Sequence, residues 1–256
     1  MKILCLHGTF CSAETFKTQL NPLISTLEKR GVVDFKWIDG FHETPAPPTY
    51  QDYYGAPPHY RWFNWGSEDI KNDPVKDDPV VKFRAIAPSF SPEDTMRTCF
   101  RERKQPYAKH VQPSLDKLFQ ILEEDPEIEG LFSYSEGGIL AATAILEEQR
   151  RRDEEGRPCQ IKHAVFFAGW PPFYARDDLI ARPVLADERE DMIEVPTCHI
   201  IGCNDPFIHG AMALFSVCDE DTAKLFDHGK GHTVPRDSQT VGELASAIEN
   251  TWNMAK

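Results

Sequence analysis

The chain has 256 residues, 41% of them hydrophobic and 27% charged, which suits one soluble domain with a sizeable core, or one domain carrying an insertion. A formal net charge of −13 sets its surface against nucleic-acid phosphates and anionic membranes. No stretch approaches the ~20 apolar residues of a membrane span. The apolar run Ile3 to Leu6 is cut off by His7 and Gly8, too short for a secretory signal. The cysteines (Cys5, Cys11, Cys99, Cys159, Cys198, Cys203 and Cys218) are odd in number and scattered, as expected of reduced thiols in a cytoplasmic protein. Cys198, His199 and Cys203 lie close together, but neighbours on a strand point to opposite faces and no second pair joins them, so no metal site is expected.

In chain order, Lys2 to Leu6 reads as a buried strand. Ala13 to Lys29 reads as a helix from the spacing of Phe16, Leu20, Leu23, Ile24 and Leu27. Asp34 to Ile38 is a second strand. Residues 40 to 107 interrupt the pattern: Pro45, Pro47, Pro48, Pro57, Pro58, Pro74, Pro79, Pro88 and Pro92 oppose regular structure. Tyr50, Tyr53, Tyr54, Tyr60, Trp62, Phe63 and Trp65 are too apolar for a solvated linker. This predicts an irregular insertion packed over the substrate pocket; a loop that patches exposed core is the plainer alternative. Beyond it come a helix at Pro113 to Glu124, a strand at Glu129 to Ser133 and a helix at Gly137 to Arg150. Strands follow at His163 to Phe167, Thr197 to Ile201 and Ala223 to Phe226, and Ser238 to Trp252 closes as an amphipathic helix. Such alternation predicts a mostly parallel sheet flanked by helices, in a single domain over 1–256 with the insertion at about 40–107.

Three segments carry chemistry. Ser133-Tyr134-Ser135-Glu136-Gly137 sits between a strand and a helix and matches G-x-S-x-G, the sharp turn that presents a nucleophilic serine, with Ser133 in place of the first glycine. Ser133 itself fits worse as nucleophile, because the large Leu131 would then take a small-residue position. Asp205 follows the strand Thr197 to Ile201, at the sheet face where open α/β folds place ligands. An Asp before a proline is also an ordinary turn or cap residue. His232 lies deep in the irregular loop Asp227-His228-Gly229-Lys230-Gly231-His232-Thr233-Val234-Pro235 and is preferred to His228. The order Ser, Asp, His is that of an α/β-hydrolase triad. An acyl-transfer intermediate also needs backbone donors for its oxyanion. These are expected from Glu136, directly after the nucleophile, and from Thr9 (or Phe10) in the His7-Gly8-Thr9-Phe10 loop after the first strand. The Glu136 side chain is expected to turn outward into solvent.

These residues resemble the fungal serine hydrolase family of α/β-hydrolases, which includes small cytosolic esterases and polyketide-releasing thioesterases of lovastatin type. The likeness runs through the opening strand and Leu6-His7-Gly8, through Trp37-Ile38-Asp39-Gly40-Phe41, and through the elbow at Ser133 to Gly137, where the family has Gly-Phe-Ser-Gln-Gly. It continues through Phe166-Phe167-Ala168-Gly169-Trp170, through Gly202 to Pro206, and through His228-x-Gly-x-His232-x-x-Pro235. The resemblance implies an acyl-enzyme mechanism without cofactor or metal. The implied reaction is release of a polyketide acyl chain presented by an acyl carrier domain, with a general carboxylesterase as the alternative and a non-catalytic binding protein as a third reading. Phe10, Trp62, Trp170 and Phe173 are the expected pocket wall. Arg97, Arg101, Arg103, Lys104 and Lys109 form a basic cluster that could meet an acidic carrier, or could be a solvated helix face.

Overall fold

In the computed structural model, which describes residues 1–31, 34–46, 54–64, 91–102, 108–174, 181–188 and 190–255, the alternating pattern becomes one parallel sheet. Strand β1 (Lys2–Leu6) leads to helix α1 (Ala13–Lys29) and β2 (Asp34–Trp37). A short antiparallel pair follows, β3 (His42–Glu43) with β4 (Tyr60–Arg61), and then helices α2 (Pro92–Glu102) and α3 (Ala108–Glu124). Next come β5 (Ile128–Tyr134), α4 (Glu136–Glu155), β6 (His163–Phe167) and a second small pair, β7 (Phe173–Tyr174) with β8 (Arg182–Pro183). Strand β9 (Thr197–Ile201), α5 (Ile208–Ser216), β10 (Lys224–Asp227) and α6 (Ser238–Met254) complete the order. The large sheet runs β10-β9-β6-β5-β1-β2, and every neighbouring pair is parallel.

Alternate residues of the strands divide into two cores. Ile3, Cys5, Phe132, Tyr134, Val165 and Phe167 pack with α1 and α6 on one face. Leu4, Leu6, Leu131, Ala164 and Phe166 pack with α3 and α4 on the other. Both faces are covered, which is why these strands read as continuous apolar runs. Local signals set the helix ends. The Ser12 side chain accepts the Thr15 N–H at the start of α1, and Asp237 accepts that of Thr240 at the start of α6. Gly156 ends α4 at φ 69°, in the left-handed region. Among the described residues no helix is long and apolar enough to cross a membrane.

The insertion is more regular than its prolines predict. Pro92 occupies the first position of α2, where a missing N–H costs nothing, and the Ser91 hydroxyl accepts the Asp94 N–H just ahead of it. Met96, Cys99 and Phe100 of this helix are buried in the core that also holds α3 and α4. Helix α3 begins at Ala108 and carries Pro113 within it, rather than starting there. The part of the aromatic run at 47–53, and Trp65, lie outside the described residues.

Burial holds three imidazoles neutral, pushing His7 and His163 down to about 4 and His199 to about 3. An unfolded histidine titrates near 6.5, so as pH falls from 6.5 towards 4 the unfolded chain takes up protons that the fold refuses. Their contribution is fully present above pH 6.5 and declines below it. Tm should therefore fall steadily between pH 7 and pH 4.5. His199→Leu, placed between Phe166 and Phe215, should flatten that slope relative to the parent. An unchanged slope would assign the acid sensitivity to other groups.

Candidate active site

The sheet order reverses at β1, whose neighbours are β2 and β5, so a crevice opens beyond the carboxyl ends of β1 and β5. Ser135 stands there, between β5 and α4, at φ 52° and ψ −115°. For a residue with a Cβ this is strained backbone. Its N–H donates to Phe167 O at 2.9 Å, and its own carbonyl accepts the Gly138 N–H at 2.9 Å, so the turn is held on both sides. The reason for the turn lies in the next residues. A Cβ on Gly137 would come within 2.4 Å of Leu6 O and 2.7 Å of His7 O, and one on Gly138 within 2.7 Å of Gly169 Cα. Only glycines let α4 approach β1 and the end of β6 this closely. Ser133, in the place of the motif's first glycine, is fully buried and donates its hydroxyl to Val165 O at 3.2 Å, which accounts for its fit.

Two loops meet beside this turn. Asp205 is buried; its Oδ2 accepts from His232 Nδ1 at 2.7 Å and its Oδ1 from the Phe207 N–H at 2.8 Å. This bond puts the imidazole hydrogen on Nδ1 and leaves Nε2 as the basic nitrogen. The His232 ring centroid is 5.1 Å from that of Tyr134 and 5.1 Å from that of Phe207. The Tyr134 hydroxyl donates to His232 O at 3.2 Å. Tyr134 directly precedes Ser135, so these contacts bring the imidazole to the elbow. The loops themselves are joined, with Asn204 donating its backbone N–H to Lys230 O and its side-chain amide to Gly229 O. His228 instead packs its buried ring on Phe167, at 5.6 Å between centroids.

The other expected residues divide. Thr9 and Phe10 follow β1 at the crevice, partly exposed, with Phe10 at φ 60°. Glu136 departs from expectation. Its side chain is 6% exposed, not solvated, because Oε2 accepts the Trp62 N–H at 3.0 Å. Trp62 is also corrected: it is fully buried and donates its indole N–H to His7 O at 2.6 Å, so it offers no surface to an open pocket. Trp170 and Phe173 lie beyond the end of β6 against Phe100 of α2, at 6.1 and 5.4 Å between centroids. Trp170 also meets Phe207 at 5.9 Å, which makes an aromatic path from α2 to His232. Phe207 was not singled out in the sequence; its place directly after Asp205-Pro206 was the available signal. In the basic cluster, Arg97 is engaged by Asp94, Asp187 and Glu188. Arg103 and Lys104 fall outside the described residues.

Residues 1–244 match the sequence model of the family described as serine hydrolase (FSH1). The chain belongs to that family. This serine hydrolase is similar to the hydrolase phiM of Talaromyces stipitatus, 26% identical over 255 residues that cover 97% of this chain and 86% of the relative. It is similar to the esterase FPY3 of Fusarium mangiferae, 25% identical over 260 residues, covering 100% and 98%. Among solved structures it resembles the esterase PE8 (TM-score 0.53, 16% identity, 98% and 92% covered). It also resembles a monoacylglycerol lipase of Paleococcus ferrophilus (TM-score 0.53, 13% identity, 100% and 95% covered). Those likenesses establish the α/β-hydrolase fold, and the family establishes a serine hydrolase.

In this hydrolase Gly137→Ala should be severe, since the added methyl group meets carbonyl oxygens of β1 rather than a movable side chain. Overpacking of this kind costs about 1–3 kcal/mol. Urea unfolding of the variant should show that loss. Retention of parental stability would mean that α4 can retreat from β1 without penalty.

Proposed function

We propose that Ser135, His232 and Asp205 form a catalytic triad that hydrolyses an acyl thioester or ester through an acyl-enzyme. The observation that carries this reading is the 2.7 Å bond from His232 Nδ1 to a buried Asp205 carboxylate, on an imidazole packed against the residue preceding a strained serine. His232 Nε2 takes the Ser135 hydroxyl proton as Oγ attacks the acyl carbonyl, and then delivers it to the leaving thiol or alcohol. Asp205 holds the tautomer and balances the imidazolium. Water repeats the sequence on the acyl-enzyme and frees the acid. The oxyanion of each tetrahedral intermediate is held by the backbone N–H groups of Thr9 and Glu136. Among the described residues, no hydrogen bond engages the Thr9 N–H. Phe10 and Trp170 contribute the apolar acyl wall, together with Phe207, and Phe173, buried against Phe100, belongs to the core that supports it.

For the substrate we favour a polyketide-type acyl chain delivered as a thioester by an acyl carrier domain. This rests on the resemblance to thioesterases of lovastatin type and on the greater reactivity of thioesters towards acyl transfer. The carboxylesterase alternative draws on one specific observation: the Arg97 guanidinium is already balanced by three carboxylates, leaving less charge to meet an acidic carrier.

Ser135→Ala and His232→Ala should each lower hydrolysis of a nitrophenyl ester or simple thioester on the order of 10³-fold or more, and Ser135→Ala should abolish fluorophosphonate labelling. His228→Ala should be milder, because His228 does not hold Asp205. Near-parental turnover by folded Ser135→Ala would sink the assignment.

Release from an acyl-carrier protein should exceed release from the matching small thioester, and the double change Arg101→Glu/Arg103→Glu should slow only the former. Equal effects on both substrates would favour the carboxylesterase.

A further inference from the structure

The Glu136 residue has two functions in reach of one another, its backbone at the elbow and its carboxylate buried against the insertion. The carboxylate accepts the Trp62 N–H at 3.0 Å, with the Arg61 Nε 4.0 Å from Oε1. Trp62 in turn donates its indole N–H to His7 O at 2.6 Å, its ring centroid 4.9 Å from that of His7, and its own carbonyl accepts the Ser114 hydroxyl of α3 at 2.6 Å. The His7 ring is committed at both nitrogens. Nε2 accepts the Gly40 N–H at 2.8 Å, so the hydrogen sits on Nδ1, which donates to Gly8 O at 2.6 Å. The Gly8 carbonyl belongs to the same peptide plane as the Thr9 N–H, and in a trans peptide the two point in opposite directions. Holding one aims the other.

We infer that Glu136, Trp62 and His7 form a strut that fixes the two halves of the oxyanion hole relative to each other, with His7 aiming the Thr9 N–H and the Glu136 side chain tying its own backbone to that loop. This rests on the oxyanion assignment proposed above. All three are positioning residues, since none of their side chains need touch the substrate. The buried burden of the strut argues for it. A carboxylate 6% exposed loses hydration that an outward rotamer would keep, and such burial is offset only by hydrogen bonds made in place. The imidazole is neutral at neutral pH, as an Nε2 acceptor requires, because burial pushes His7 down to about 4. The insertion thereby gains a task distinct from walling the pocket: through Trp62 it braces the reacting centre.

The test is steady-state kinetics of the full chain with a nitrophenyl ester, alongside inhibition by a trifluoromethyl ketone as a mimic of the tetrahedral oxyanion. Glu136→Ala should lower kcat about tenfold or more, leave KM nearly unchanged and weaken the ketone in proportion to kcat, since a misaimed donor is felt in the transition state. Glu136→Gln keeps an acceptor oxygen for the Trp62 N–H and should recover most of that loss. Trp62→Phe keeps an aromatic ring, though a smaller one, but removes the donor to His7 O, and should reproduce the Glu136→Ala pattern; it stands in if Glu136→Ala does not fold. Parental kcat in these variants, a loss confined to KM, or a Glu136→Gln as impaired as Glu136→Ala overturns the strut. Ser135→Ala is run in parallel. Hydrolysis persisting there overturns the triad reading, whereas a dead Ser135→Ala beside a normal Glu136→Ala overturns the strut alone.

Discussion

The approach of α4 to β1 at Gly137 constrains everything around the crevice. With the helix start lying almost on the carbonyls of Leu6 and His7, the chain leaving β5 has no room for an ordinary turn, and Ser135 is driven to φ 52°. Strain of this sort costs about 1–3 kcal/mol and persists only where its surroundings over-determine it. Here they do. Beyond the strand ends the ladder bonding continues, Ser135 N–H to Phe167 O, Ala168 N–H to Ile200 O and His228 N–H to Ile201 O. Phe10, Ser135 and Ala168, the non-glycine residues at positive φ among those described, stand beyond the ends of three adjacent strands. The strain is thus concentrated beyond the carboxyl ends of the central strands, around one crevice.

The acid and histidine loops are built differently. They are joined by hydrogen bonds, with the Asp227 carboxylate of one loop accepting the Cys203 N–H of the other and the Gly229 N–H of its own, and Gly202 passing so close to Lys230 O that a Cβ would lie 2.1 Å from it. The bond from His232 Nδ1 to Asp205 Oδ2 ties the two loops again at the site itself. Aromatic rings then fix the imidazole laterally, Tyr134 on one side and Phe207 on another. The Ser135 side of the site comes from the sheet, and the Asp205 and His232 side from two loops bonded to each other.

Electrostatics separates the surface from the centre. With a net charge of −13, cations near the insertion are drawn into local ion pairs, as at Arg97, before any partner is met. At the centre the buried carboxylates of Asp205 and Glu136 each accept backbone N–H groups, which lowers the cost of their burial. The same chemistry serves one carboxylate bonded to the His232 imidazole and another bonded to the Trp62 backbone.

The sheet, the flanking helices and the strand-to-helix turn at Ser135 were legible from the chain because they rest on local signals: apolar strands of the right length, helical spacing, and a turn motif whose glycines report close packing. Helix α2 was missed in the reading of residues 40–107 as irregular, because the density of prolines outweighed the local signal of Ser91-Pro92 with Glu93 and Asp94 in its first turn. What no local pattern carried was the destination of side chains that bond across long separations. Glu136 looks like a solvated acid at a helix start, and Trp62 like one aromatic among many. Their mutual bond, and the one from Trp62 to His7, join residues 74 and 55 positions apart. The depth of His232 in its loop favoured it over His228 in the sequence, but its bond to Asp205, 27 positions away, exists only in the fold. Periodicity and motif spacing determined the scaffold because each element's preferences are written within its own few turns. The tertiary structure decided the inward path of Glu136 and the bracing of the β1 loop, because a buried polar group goes wherever a partner offsets its lost hydration, and that partner exists only once the chain has folded.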